Sequence, residues 1–228
     1  MLNRFARALF TRLLTPVARA LLAAGISPDV VTLVGTLGVV VGALAFYPRG
    51  ELFWGTIVIT AFVFSDTVDG IMARASGRSS RWGAFLDSTL DRVGDAAVFG
   101  GLVLHYADGS TGRDRTLAAL ALGCLVLGGV VSYARARAEG LGMRADVGIA
   151  ERADRLVAVL VATGLVGLGV SDLLLLVVLA VLAAASLITV VQRMLTVRAQ
   201  ALAAPGAAPA APGPGSGPAP ASPGGPDE

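Results

Sequence analysis

Residues 65–91 read SDTVDGIMARASGRSSRWGAFLDSTLD, and this stretch places four carboxylates between long apolar segments: Asp66, Asp69, Asp87 and Asp91. Asp66 and Asp69 are three residues apart and Asp87 and Asp91 are four apart, so each pair shares one face of a helix. Two helices joined by a short polar turn lie antiparallel with adjacent ends. We therefore expect the four carboxylates to converge. Hard oxygen ligands suit Mg²⁺ or Mn²⁺, and four carboxylates can serve two such ions.

The composition indicates a membrane protein. Hydrophobic residues make up 55% of the 228, and mean hydropathy is +0.75, whereas soluble domains are about 45–50% apolar. We predict an all-α integral membrane protein with six transmembrane helices, preceded by an N-terminal amphipathic interfacial helix. The predicted spans cover residues 30–47, 52–75, 82–106, 117–138, 152–169 and 172–195. The predicted divisions are an amphipathic segment at 1–25, a six-span domain at 26–200 and a disordered Ala/Pro/Gly-rich tail at 201–228.

The placement of arginine predicts the orientation. All 18 basic residues are arginine, and with six spans Arg49, Arg113 and Arg115 fall on the side opposite the termini. The remaining arginines lie on the terminal side or at helix ends that face it, so that side is expected to be cytoplasmic. We therefore expect a multi-pass protein of the cell membrane whose carboxylate cluster faces the cytoplasm.

The carboxylates belong to a longer pattern, D-x2-D-G-x2-A-R-x8-G-x3-D-x3-D, which resembles the signature of the CDP-alcohol phosphotransferases at every fixed position. The alternative is a set of helix-end Asp and Arg residues paired as salt bridges. The resemblance implies that a CDP-linked lipid donates its phosphatidyl group to an alcohol and that CMP leaves. It also implies that Asp91 is the general base, that Asp66, Asp69, Asp87 and Asp91 bind metal, and that the protein is a homodimer. CDP-diacylglycerol would then contact Asp29, Thr32, Gly70, Ala73, Arg74 and Gly83.

A second cluster predicts the chemistry of the acceptor. It consists of polar and basic residues near the same end of the later spans, namely Ser132, Arg135, Arg137, Arg152, Arg155 and Arg193. Several arginines beside a metal site favour an anionic acceptor, most simply a phosphate. For any single arginine, the alternative is a flank that only sets topology. Asp95, one turn beyond Asp91, is expected to pair with an arginine.

Three further segments narrow the resemblance: SPDVVT at 27–32, SYARARAE at 132–139 and DVGIAERADRL at 146–156. They are similar to an actinobacterial subgroup of the family that makes phosphatidylinositol phosphate, which implies inositol 1-phosphate as the acceptor. That subgroup often has lysine where this chain has Arg135, so the charge is kept but the hydrogen-bond geometry differs.

Three other functions are each compatible with part of the sequence. A phosphatidylglycerophosphate synthase would also use a phosphorylated acceptor, glycerol 3-phosphate, so the arginine cluster fits it equally. A cation transporter would have its site near the membrane midplane between internal repeats, whereas these acids lie towards one end. The isoelectric point of 9.2 is compatible with a nucleic-acid or scaffold role, but the arginines flank spans, so we expect no nucleic-acid partner.

Overall fold

The computed structural model describes the backbone of residues 2–75, 80–109, 111–149 and 151–203, without the side chains of 2–12, 66 and 67. Within these ranges the chain forms eight α-helices and no strand. They are α1 (Leu2–Ala23), α2 (Pro28–Phe46), α3 (Leu52–Val63), α4 (Ser65–Ala75), α5 (Arg81–Ala107), α6 (Gly112–Gly140), α7 (Arg152–Gly167) and α8 (Leu173–Ala203). A 3₁₀ turn, Tyr47–Arg49, follows α2.

Hydroxyl side chains fix the starts of α2 and α5. Ser27 accepts a hydrogen bond from the Val30 amide at the start of α2, where Pro28 occupies the first turn. Ser80 accepts from the Gly83 amide at 2.9 Å and starts α5. Each cap satisfies an amide that has no partner within its helix. The starts of α2 and of α5, which carries the second half of the motif, are therefore set by local sequence.

Within the described part of the chain, four helical segments are long and apolar enough to cross a membrane: Pro28–Arg49, Leu52–Ala75, Gly112–Gly140 and Leu173–Ala203. All six predicted spans coincide with helical regions. However, α5 carries the charged motif residues and α7 has only 16 residues, so the count of six spans stays a prediction. Helix α1 forms where the sequence predicts it; its amphipathic, interfacial placement also stays a prediction.

The predicted second span is divided into α3 and α4 at Phe64. The Ser65 hydroxyl donates to the Phe62 carbonyl at 2.6 Å, and such local bonds compete with the helical ladder. Close packing fixes this point on α2, because a Cβ built at Gly35 would lie 1.7 Å from Ser65 Oγ.

Two apolar clusters hold the helices together. The larger contains buried residues of α2, α3, α5, α6, α7 and α8. The smaller packs Ala18 of α1 against Val68, Ile71 and Met72 of α4. Helix α4 is thus supported by α1 and α2. The predicted divisions at 1–25, 26–200 and 201–228 stay predictions, and residues 204–228 lie outside the described ranges.

Candidate active site

The first turns of α2 connect the two halves of the motif. The Thr32 hydroxyl donates to Asp69 Oδ2 at 2.5 Å, and both residues are buried. A Cβ built at Gly83 would lie 3.6 Å from Asp29 Oδ1. One helix start therefore contacts α4 through Thr32 and α5 through Asp29. The structure brings these two predicted residues to the motif.

The small residues of the motif leave room beside the carboxylates. Gly70 and Ala73 are half-buried on α4, and Arg74 is exposed. The Arg74 guanidinium lies 3.5 Å from a Cβ built at Gly70, so its side chain folds back along the helix over that position. Gly70, Ala73 and Arg74 thus lie in the last two turns of α4, and Gly83 lies in the first turn of α5.

The carboxylates are spread over α4 and α5. Among the side chains that the structure describes, no three His, Cys, Asp or Glu residues form a metal-binding group. The predicted group includes Asp66, whose side chain lies outside the description, so the convergence of four stays a prediction. Asp69 is buried, whereas Asp87 is exposed and makes no ion pair with another described residue. Oxygen donors of this kind fit a hard divalent cation.

A network of charges surrounds Asp91 and Asp95. Arg152 Nη1 lies 2.7 Å from Asp91 Oδ1, and Arg152 Nε donates to Asp95 Oδ1 at 3.1 Å. The second Asp95 oxygen lies 3.6 Å from Arg92 Nη2 and 3.6 Å from Arg155 Nη2. Asp95 thus pairs with three arginines, which confirms the expected arginine partner. Because Arg155 is only 2% exposed, its charge depends on this carboxylate for compensation.

A cavity of about 900 Å³ opens beside this network between α5, α6, α7 and α8. Its lining includes most of the predicted acceptor residues, namely Ser132, Arg135, Arg152, Arg155 and Arg193, together with Asp91. Arg137 is exposed on α6 and is not part of this lining. Asp91 therefore belongs both to the motif and to the wall of the cavity.

Two further arginines of the lining also have protein partners. Arg193 donates from Nε to the Val147 carbonyl at 3.0 Å and from Nη1 to the Val131 carbonyl at 2.5 Å. Arg135 Nε donates to Glu139 Oε1 at 2.9 Å. Arg193 is therefore fixed by backbone, whereas the exposed Arg135–Glu139 pair is weakly held.

One wall of the cavity was not predicted from the sequence, although its residues lie within the DVGIAERADRL segment at 146–156. Asp146, Val147 and Gly148, in the segment between α6 and α7, line it. Arg92, which contacts Asp91 and Asp95, was also missed. A place for Arg92 at the site could have been predicted from the sequence, because this residue directly follows Asp91 of the motif. The segment between the helices has no periodic pattern that would have indicated a role.

A profile of CDP-alcohol phosphatidyltransferases matches residues 25–150, a range that contains the whole Asp motif. The chain belongs to the CDP-alcohol phosphatidyltransferase family. This confirms the resemblance predicted from the motif. The chain is 57% identical over 225 residues to a phosphatidylinositol phosphate synthase of Streptomyces avermitilis, and the match covers 95% of this chain and 91% of that protein. A protein of the same name from Cutibacterium acnes is 49% identical, with 87% and 98% covered.

Solved structures of family members share the fold. A Mycobacterium tuberculosis phosphatidylinositol phosphate synthase with CDP-DAG bound matches with a TM-score of 0.77 and 47% identity, covering 82% of this chain and 94% of that one. The same protein in complex with manganese and citrate matches with a TM-score of 0.77 and 46% identity, covering 81% and 88%.

Proposed function

We propose that this protein transfers the phosphatidyl group of CDP-diacylglycerol to inositol 1-phosphate, giving phosphatidylinositol phosphate and CMP. The observation that carries the proposal is the position of Asp91. It belongs to the family motif on α5 and it lines a cavity that contains Arg152, Arg155 and Arg193. A donor bound at the motif and a phosphorylated acceptor in the cavity would meet at this carboxylate.

We assign the binding of the donor, CDP-diacylglycerol, to the motif and to the first turns of α2. Asp29, Thr32, Gly70, Ala73, Arg74 and Gly83 would contact CDP-diacylglycerol. The contact of Thr32 with Asp69 and the approach of Asp29 to Gly83 support a shared site at the first turns of α2. Small residues at 70, 73 and 83 would let a phosphorylated ligand approach the backbone.

The chain would use a divalent cation held by Asp66, Asp69, Asp87 and Asp91. We propose Mg²⁺ or Mn²⁺ and two ions; the manganese complex of the Mycobacterium tuberculosis protein and the oxygen-only donor set support this choice. Such ions supply charge neutralisation at a pyrophosphate and stabilise a leaving phosphate. Thr32 would orient Asp69, because its hydroxyl donates to one carboxylate oxygen.

Asp91 would act as general base. It accepts the proton of the acceptor hydroxyl while the hydroxyl oxygen bonds to the lipid-linked phosphorus and the bond from that phosphorus to the CMP oxygen breaks. Arg152 Nη1 lies 2.7 Å from Asp91 Oδ1, so this ion pair would orient the carboxylate that accepts the proton. Because Arg152 also lines the cavity, a phosphate bound to it would bring the acceptor within reach of the base.

The acceptor phosphate would be bound by Arg152, Arg155 and Arg193, with Ser132 and Arg135 at the cavity wall. The buried position of Arg155 and the convergence of α6, α7 and α8 on one cavity support this assignment. Phosphatidylglycerophosphate synthesis from glycerol 3-phosphate is the second candidate, since the same arginines suit it. The names of the relatives favour inositol 1-phosphate.

We further propose that the protein is a homodimer of the cell membrane with its active site facing the cytoplasm. Four apolar helices support the membrane placement. The distribution of arginine supports the orientation.

The test uses purified protein in detergent with CDP-diacylglycerol and a divalent cation. Inositol 1-phosphate, glycerol 3-phosphate and free inositol are compared by CMP release and by mass spectrometry of the lipid product. We expect inositol 1-phosphate to have the highest kcat/KM. Preference for glycerol 3-phosphate would move the assignment to the second candidate. Equal use of free inositol would contradict the phosphate site.

A further inference from the structure

Four hydrogen bonds, which involve three residues of α8, join this helix to the segment between α6 and α7. Gln200 Oε1 accepts from the Arg144 amide at 3.0 Å, and Gln200 Nε2 donates to the Arg144 carbonyl at 2.6 Å. Arg193 Nε donates to the Val147 carbonyl at 3.0 Å. Thr189 Oγ1 accepts from the Ile149 amide at 3.2 Å. The anchors pair residues in opposite chain order, so residues 144–149 run antiparallel to α8.

The lengths of the two elements match. From Thr189 to Gln200 the helix rises about 16 Å at 1.5 Å per residue. From Arg144 to Ile149 a fully extended chain spans about 16 Å at 3.3 Å per residue. On a count of about 100° per residue, the three α8 anchors fall within about 40° of one another. The anchors on α8 are therefore spaced at about the length that residues 144–149 can span when extended, and they lie on one face of the helix.

Gly148 fits this close approach. Its φ is +149°, a conformation that side chains with a Cβ rarely adopt. A Cβ built there would lie 2.4 Å from Thr189 Cγ2. The segment thus contacts α8 at a position where only glycine has room. Asp146, Val147 and Gly148 form the cavity wall, so the contact with α8 sets the position of that wall.

Gln200 is the anchor farthest from the cavity, in a part of α8 suited to the membrane surface. Helix α8 has 31 residues, about 46 Å at 1.5 Å per residue, whereas the hydrocarbon core is about 30 Å thick. Gln200 is not part of the cavity lining among the described residues. Its effect on the cavity would be transmitted through Arg144.

We propose that Gln200 is a positioning residue for acceptor binding. It fixes the Arg144 end of residues 144–149 on α8 and thereby keeps the cavity wall at the width that a phosphorylated acceptor needs. This rests on the proposed function of the cavity, but it assigns Gln200 no contact with donor, metal or acceptor.

The experiment compares Gln200→Ala, Gln200→Glu and wild type. Both hydrogen bonds to Arg144 are lost in Gln200→Ala, and we expect the KM for inositol 1-phosphate to rise about 3- to 30-fold while the KM for CDP-diacylglycerol is unchanged. Gln200→Glu keeps an acceptor for the Arg144 amide but loses the donor to the Arg144 carbonyl. Its KM for inositol 1-phosphate should therefore lie between the values for wild type and Gln200→Ala. Arg198→Ala is the control, since this exposed residue of α8 makes no hydrogen bond or ion pair with another described residue and should leave both KM values unchanged.

Hydrogen exchange supplies a readout that does not depend on activity. Amides of residues 143–149 should exchange faster in Gln200→Ala than in wild type, and those of α6 should not. An unchanged acceptor KM, or equal rises in both KM values, would overturn the proposal, as would unchanged exchange. If wild type uses glycerol 3-phosphate instead, the proposed acceptor is wrong. The role of Gln200 in acceptor binding is then tested by comparing the KM for glycerol 3-phosphate in wild type and Gln200→Ala.

Discussion

Replacing Asp95 by asparagine tests whether one buried carboxylate holds the arginines of the acceptor cavity in place. The change keeps the volume and removes the charge. Arg155 is 2% exposed and lies 3.6 Å from Asp95, a distance at which the attraction is about 4–5 kcal/mol for an effective dielectric constant of 20. Breaking a buried pair typically costs about 3–5 kcal/mol. We expect a cost at the lower end of this range, because the amide oxygen of the introduced asparagine can still accept a hydrogen bond from Arg152 Nε.

Two measurements separate the effects of Asp95→Asn. The apparent melting temperature in detergent should fall, since the guanidinium of Arg155 loses its counter-charge. In the folded fraction the KM for inositol 1-phosphate should rise about tenfold, equivalent to about 1.4 kcal/mol, with the KM for CDP-diacylglycerol unchanged. Asp172→Asn is a matched control at the other end of the bundle, where Asp172 accepts from Tyr106 at 3.4 Å. A variant with wild-type melting and wild-type acceptor KM would refute the reasoning.

Three further outcomes are expected. EDTA should abolish CMP release, and added Mg²⁺ or Mn²⁺ should restore it; full turnover in metal-free buffer would contradict the carboxylate metal site. Asp91→Asn should lower kcat about 10²- to 10⁴-fold while CDP-diacylglycerol binding, measured by calorimetry, persists; a near-normal kcat would assign proton removal to another group. Arg155→Ala should raise the KM for inositol 1-phosphate about 10- to 150-fold, whereas Arg137→Ala, outside the cavity, should not; equal effects of the two variants would count against the cavity as the acceptor site.

The sequence by itself determined the class of the protein and the identity of the motif. Long apolar runs require helices in a membrane because backbone groups in lipid must be paired within the segment. The spacing of Asp66, Asp69, Asp87 and Asp91 is a local property, and helical periodicity alone places each pair on one face. The same holds for Ser27 and Ser80, which cap their helices through contacts only three residues away.

The tertiary structure decided which of the candidate residues meet. Thr32 contacts Asp69 across 37 residues of sequence, and Arg152 contacts Asp95 across 57. Arg135 and Arg137 are two residues apart, yet only Arg135 lines the cavity. The contact of residues 144–149 with α8 left no pattern in the sequence. These contacts depend on how each helix is rotated and packed against its neighbours, and that is set by the summed side-chain packing of the core rather than by the spacing of residues along any one segment.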